Sequence, residues 1–328
     1  MFGLEFLPNV EIKKIVELSN YAEEQGFETI WITDHYNNRN VYATLALLAQ
    51  GTSTIKIGTG VTNPYHINPS VTASAIATIN EISQGRAILG VGAGDKITME
   101  RLGIEWKRPL GHVKETVEIC RKLFGNKRID YDGEIFKIKG AKIDFPAGDI
   151  PIYVGAQGEK MLALSATFGD GVLINGSHPK DFEFAVGKLK SVLGDRKDFE
   201  IAAYACFSID EDSDKAKNEA RIVVAFIVAG SPVPILERHG ISKEDADKVR
   251  EAMNNAFTKG DWGGLAMTVT DTMMERFSVS GSPDECIARV EDLMKTGVTQ
   301  VVVGSPIGPD KKKSIKLIGE ELIAPLKG

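Results

Sequence analysis

The chain has 328 residues, 43% of them hydrophobic and 26% charged, with a net charge of −6. That balance suits a globular protein with a large core, and its length fits one barrel with insertions better than a small domain. The acidic balance and the lack of a Lys/Arg stripe argue against nucleic acid as a partner. No run of about 18 apolar residues exists to span a membrane. The opening MFGLEFLPNVE has neither a basic leader nor a long apolar stretch, so a cytoplasmic location is expected. Cys120, Cys206 and Cys286 are odd in number and far apart, which suggests neither a disulfide framework nor a zinc site.

In chain order, apolar β-prone runs alternate with amphipathic stretches of helical period. Phe2–Leu7, ended by Pro8, precedes a helix over Ile12–Glu24 that Gly26 closes. Strands at Thr29–Thr33, Ile55–Val61 and Ala87–Val91 alternate with helices at Tyr42–Gln50, Val71–Ile82 and Val113–Phe124. The rhythm resumes with strands at Ile152–Val154, Gly171–Ile174 and Ile201–Ile209, separated by helices at Met161–Phe168 and Phe182–Leu193. After Ala216–Phe226 and Pro283–Lys295, both helical, a last strand at Val298–Gly304 leads into a closing helix at Ser314–Leu326. Strands of continuous apolar character, alternating with helices, imply a parallel sheet buried on both faces. Eight such strands imply a (β/α)8 TIM barrel rather than an open doubly wound sheet. Two stretches interrupt the pattern of this single domain. One, about 128–145, carries the Asp132-Gly133 turn of a hairpin. The other, about 229–277, has a charged helical middle and is expected to be a lid or an oligomer contact.

In such a barrel, chemistry sits just after each strand's C-terminal end. Glu5 lies inside an apolar strand, where a carboxylate is costly to bury; it either serves catalysis or pairs with a core group. Asp34-His35 follows the second strand, with Asp34 a helix cap on the plainer reading. Gly58-Thr59-Gly60-Val61-Thr62-Asn63 suggests a bulge where backbone approaches something flat. Gly90-Val91-Gly92-Ala93-Gly94-Asp95 has the wrong spacing for a dinucleotide fingerprint and reads as a loop of the mouth, with Asp95 a second acidic candidate. Gly155-Ala156-Gln157-Gly158 and Asn175-Gly176-Ser177 both open helices, whose free amides are able to hold a phosphate. Histidines at 35, 66, 112, 178 and 239 are scattered, and no metal-ligand spacing, nucleophile elbow or P-loop appears.

The segments Gly26–His35, Ile57–Pro64, Gly85–Gly92, Gly281–Glu285 and Gly297–Gly304 resemble the bacterial-luciferase-like superfamily, and the likeness runs along nearly the whole chain. Within it, Gly60–Tyr65 and Gly92–Lys96 are most similar to the F420-dependent methylenetetrahydromethanopterin reductase family of methanogenic archaea. The resemblance implies coenzyme F420 at the barrel mouth, or alternatively FMN. It implies a non-prolyl cis peptide at Gly60–Val61 that backs one face of the ring, with Asp34 and His35 near the ring system. It further implies reversible hydride transfer to the methylene carbon of a tetrahydropterin, with Glu5 first and Asp95 second as proton donor, and a homodimer or homotetramer. Other readings are an FMN-dependent monooxygenase, another F420-dependent dehydrogenase, or a non-catalytic flavin-binding barrel. One departure stands out: His178-Pro179 occupies the place where some F420-dependent relatives carry a basic residue, leaving Lys180 as a substitute and the contacts to the cofactor's tail open.

Overall fold

The computed structural model describes residues 1–327. Its strands are β1 (Phe2–Phe6), β2 (Thr29–Ile32), β3 (Lys56–Thr59), β4 (Ala87–Val91), β5 (Ile129–Asp132), β6 (Lys137–Ala141), β7 (Ile152–Gly155), β8 (Gly171–Asn175), β9 (Glu200–Ile209), β10 (Val279–Gly281) and β11 (Gln300–Ile307). One sheet runs β9-β11-β1-β2-β3-β4-β7-β8 and closes through a pairing of β8 with β9, while β10 pairs parallel with Phe207–Ile209 at the end of β9. With helices between successive strands this is the expected (β/α)8 barrel. β1, β2 and β4 are buried at every position, as continuous apolar strands covered on both faces should be.

Several boundaries moved for identifiable reasons. The third strand stops at Thr59 instead of Val61, because the chain leaves the ladder at a cis Gly60–Val61 bond and touches it again only through Thr62 opposite Val91. The last strand is Gln300–Ile307, running past Gly304 through a cis Ser305–Pro306 bond. The closing helix is continuous only in outline. It widens to a π turn at Ile318–Ile323, where the amide of Ala324 reaches back to Gly319, just ahead of Pro325, which has no amide to give. A short helix at Lys96–Arg101 and strand β10 were not expected from the sequence.

Backbone packing divides the chain into two compact units, Gly3–Ile174 with Gly187–Ala202, and Asn175–Val186 with Ala203 onward. In the first, Ile129–Asp132 and Lys137–Ala141 pair antiparallel. The buried Glu115 carboxylate holds the turn between them, accepting from the amides of Glu134, Ile135 and Phe136 at 2.8, 3.1 and 2.8 Å. A Cβ at Gly133 would fall 2.3 Å from Glu115 Oε2, so glycine is required there. At the N-terminal ends of β3 and β4, Arg86 ties the barrel floor by donating to the carbonyls of Ala49, Thr52, Ile55 and Ser83 at 2.7–3.0 Å. In the second unit, helices Ser213–Gly230, Val233–Arg238, Lys243–Lys259, Trp262–Thr268 and Asp271–Phe277 enclose an apolar core of their own, with Val224, Val228, Leu236, Val249, Leu265, Met273 and Phe277 inside it.

Candidate active site

The bulge after β3 organises the first unit's loops. Gly60 donates from its amide to Ile32 O at 2.8 Å, and Thr62 restores the ladder by donating to Gly90 O and accepting from the Gly92 amide, both at 2.9 Å. Between them, the Val61 side chain lies across two glycines. A Cβ at Gly92 would stand 2.6 Å from Val61 Cγ2, and one at Gly155 would stand 3.3 Å from Cγ1. The glycines after β4 and β7 therefore make room for the valine of the β3 bulge, a side-chain-to-backbone fit that one chain segment alone does not reveal.

Asp34 fastens this bulge. Its Oδ2 accepts from the Thr62 hydroxyl at 2.7 Å and lies 3.4 Å from His66 Nε2. Thr62 Oγ1 is also 3.3 Å from the hydroxyl of Tyr42, whose pKa burial pushes up to about 12, so that phenol keeps its proton. His66 Nδ1 is buried without a partner. The sequence singled out Asp34 and Asn63 but not Thr62, Tyr42 or His66. His35, by contrast, is exposed, and Asn63 turns inward to accept from the Tyr65 amide at 3.1 Å.

Glu5 is 8% exposed and stands in register with Trp31 of β2, which stands in register with Gly58 of β3. Register partners in a parallel sheet face the same side. Trp31 faces the barrel interior, with its ring centroid 5.5 Å from that of Tyr153 and its edge 2.8 Å from where a Gly58 Cβ would be. Glu5 thus belongs to an interior row, and the next interior row toward the mouth holds Thr33 and Gly60. The Thr33 hydroxyl is buried with no partner, an acceptor-donor waiting beside the bulge.

Asp95 is exposed and caps the helix Lys96–Arg101, its Oδ1 accepting from the Thr98 amide at 2.7 Å. Beyond that helix a strap, 103–108, is tied to two mouth loops. The Trp106 indole donates to Ala93 O at 2.9 Å, and the Tyr65 hydroxyl donates to Lys107 O at 2.8 Å. Tyr65 also stacks on His112, with centroids 4.2 Å apart. Neither aromatic anchor was picked out in the sequence, since each contact spans more than ten residues.

After β7, Gly158 begins the helix Glu159–Phe168 with no side-chain cap, and a Cβ there would meet nothing within 4 Å. The turn 155–158 therefore presents a helix N-terminus open to an anion. Gln157 is exposed and Ala156 donates its amide to Leu173 O at 3.0 Å. In the second unit, Asn175 ends β8 exposed, and Gly176 donates to Tyr204 O at 3.2 Å. The residue that follows Ser177 is the unexpected His178. Its pKa is pushed down to about 4 by burial, by Arg276 and Arg289, and by His239, so it is neutral and accepts from the Arg276 guanidinium. A basic group thus holds His178, the residue after this turn, from position 276, while Lys180 is exposed. Among the described residues no cluster of His, Cys, Asp and Glu has metal-site geometry, and no helix is long and apolar enough to cross a membrane.

A flat ring needs backbone without side chains and unpaired polar atoms at its rim. The bulge at Gly60–Val61, the unpartnered Thr33 hydroxyl and the uncapped helix at Gly158 meet that need. The family model for luciferase-like monooxygenases matches residues 5–300. The chain belongs to this family. It is 61% identical over 330 residues to a 5,10-methylenetetrahydromethanopterin reductase of Archaeoglobus fulgidus, covering 99% of each chain. To the reductase of the same name from Methanolobus tindarius it is 53% identical, over 98% of this chain and 99% of that one. The solved structure of the coenzyme F420-dependent tetrahydromethanopterin reductase from Methanopyrus kandleri superposes with a TM-score of 0.92 at 44% identity, covering 99% of this chain and 98% of that one. These likenesses run the length of the luciferase-like barrel, loops included, so the bulge and mouth segments lie within the matched region.

Proposed function

We propose that this luciferase-like protein is an F420-dependent oxidoreductase that reversibly reduces 5,10-methylenetetrahydromethanopterin to 5-methyltetrahydromethanopterin, in one-carbon metabolism and methanogenesis. The observation that carries this is 61% identity to a reductase of that name along the whole chain. Bound F420 supplies the hydride. The residues that hold it are Gly60, Val61 and Asn63 at the bulge, Asp34 and His35 after β2, and Gly92 and Ala93 after β4. The Gly155-Ala156-Gln157-Gly158 turn and Asn175-Gly176 receive its phosphate.

Hydride reaches the substrate's methylene carbon only after the bridge between two ring nitrogens opens to an iminium, and that opening requires a proton for the departing nitrogen. Glu5, inside the barrel one row below the bulge, is the proton donor of choice. A carboxyl inside the barrel is placed to hand over that proton, and general acid catalysis of this kind contributes roughly 10²–10⁴-fold. Asp95 is the second candidate, although its oxygen already serves the Thr98 amide. Holding the two reactants face to face accounts for the rest of the rate.

The protein works as one barrel domain with its insertions at 128–145 and 229–277, as a cytoplasmic homodimer or homotetramer. Sedimentation checks the assembly. The test of function is anaerobic: reduced F420 and methylenetetrahydromethanopterin are mixed with the protein and the deazaflavin absorbance is followed. Oxidised F420 that forms only with protein and pterin together supports the reading. F420 binding without turnover moves the assignment to another F420 dehydrogenase, and binding of FMN instead overturns the cofactor.

A further inference from the structure

The turn at Asn175–Ser177 rests on a buried side chain. A Cβ on Gly176 would lie 3.2 Å from both the Cβ and Oδ2 of Asp181, so the glycine backbone sits directly against that carboxylate. Asp181 is 8% exposed, and its other oxygen is spoken for: Arg238 Nη1 donates to Oδ1 at 3.2 Å, and His239 Nε2 lies 2.9 Å from the same atom. The His239 side chain is completely buried, edge-on to Phe277 at 4.9 Å and to His178 at 5.4 Å, and its Nδ1 has no partner. A buried imidazole with one ring nitrogen unsatisfied keeps its place through the other, and that other nitrogen meets Asp181. Both Arg238 and His239 come from the end of the insertion's first helix, 57 and 58 residues away in sequence from Asp181. The same turn is fixed again from the barrel, where the Cys206 amide donates to Ser177 Oγ at 3.1 Å.

We infer that Asp181 and His239 are positioning residues, a buried carboxylate–imidazole bracket through which the 229–277 insertion sets the shape of the Asn175–Ser177 turn that receives the cofactor's phosphate. The inference rests on the F420 reading for the identity of that anion. Arg238 offsets the charge of Asp181, so the bracket supports the turn without placing a bare negative charge beneath a phosphate. The insertion thereby acts as a brace on cofactor affinity, at a distance from the hydride and proton chemistry.

The test measures F420 affinity by quenching of the deazaflavin fluorescence, beside steady-state kinetics on the full chain. Wild-type protein is measured first, and its failure to bind F420 would overturn the functional reading itself, separately from the bracket. His239→Leu removes the nitrogen that meets Asp181; its dissociation constant for F420 is expected to rise about tenfold or more, with kcat at saturating F420 and the pterin KM within about twofold of wild type. His239→Gln, which offers a donor near the same point, is expected to recover most of the affinity. An unchanged F420 dissociation constant in His239→Leu, a parallel loss of kcat, or no recovery in His239→Gln each overturns the bracket. Should His239→Leu not fold, Asp181→Asn decides in the same way: weaker F420 binding at unchanged kcat supports the inference, and wild-type affinity ends it.

Discussion

At the ends of β3, β4 and β7 the neighbours of Val61 are Gly92 and Gly155, whereas the Gly176 turn after β8 rests on Asp181, itself held by Arg238 and His239, and is followed by His178, held by Arg276. The first region gets its shape from side chains that are missing, the second from charged groups that compensate one another. The contact of Val61 with the two glycines involves no titratable group and no rotamer to lose, while Asp34 beside it fastens the bulge through Thr62. A charged bracket offers adjustable support, and it responds to protons and to the removal of any one partner. On the proposed function, reaction chemistry falls on the first kind of surface, with the carboxyl of Glu5 as its proposed proton donor.

The sharpest way to break this comparison is to remove that carboxyl. Glu5→Gln keeps the size of the side chain and loses the acid; turnover is expected to fall roughly 10²–10⁴-fold with F420 affinity unchanged. Full turnover in Glu5→Gln, with both ligands still bound, would show that the proton comes from elsewhere and would bring Asp95→Asn forward as the next variant.

The glycine cradle is tested by filling it. Gly92→Ala places a methyl 2.6 Å from Val61 Cγ2, closer than any relaxed contact, so the bulge must shift. Overpacking of this kind costs about 1–3 kcal/mol, and F420 binding should weaken about tenfold or more. Adding Val61→Ala in the same chain removes the colliding methyls and should return part of the affinity. A double variant no better than Gly92→Ala alone would mean that the two residues are not coupled.

The two regions also differ in how far they were legible in the sequence. The alternation of apolar strands and helices made the barrel readable, and the runs Gly58–Asn63, Gly90–Asp95 and Gly155–Gly158 marked its mouth, because glycine shortage and surplus are local signals. The charged groups around Gly176 left no local signal. His239 meets Asp181 across 58 residues and Arg276 meets His178 across 98, so the positions close behind Gly176 offered only His178-Pro179 and Lys180. The short strand Val279–Gly281 escaped for a similar reason: three residues carry no period, and only pairing with β9 makes them a strand. The Lys96–Arg101 helix, six residues long, was hidden behind Asp95, which looked like a free acid until its bond to Thr98 was in view.

Acid should act on the Gly176 region through His178 without any substitution. The folded-state pKa of His178 is lowered from 6.5 to about 4, so the unfolded chain takes up a proton there that the folded one refuses. Stability from this site is therefore present above pH 6.5 and is lost as pH falls from about 6.5 toward 4. His178→Gln, still able to accept from Arg276, should flatten the dependence of the denaturant midpoint on pH in that window. An identical slope in the variant would place the titration elsewhere.

The smallest effect is expected at the strap 103–108, where neutral aromatic donors rather than charges do the holding. Trp106→Phe deletes the bond to Ala93 O and Tyr65→Phe the bond to Lys107 O, and each ordinary hydrogen bond is worth about 0.5–1.5 kcal/mol. Either change should raise the pterin KM a few-fold, by roughly the factor that such an energy represents, and leave kcat in place. Because both bonds act on adjacent residues of one strap, the double variant should show an effect smaller than the product of the two, the first break having already loosened what the second would release. Independent, fully multiplicative effects would mean that Trp106 and Tyr65 hold separate pieces of backbone, and that the strap is not one element.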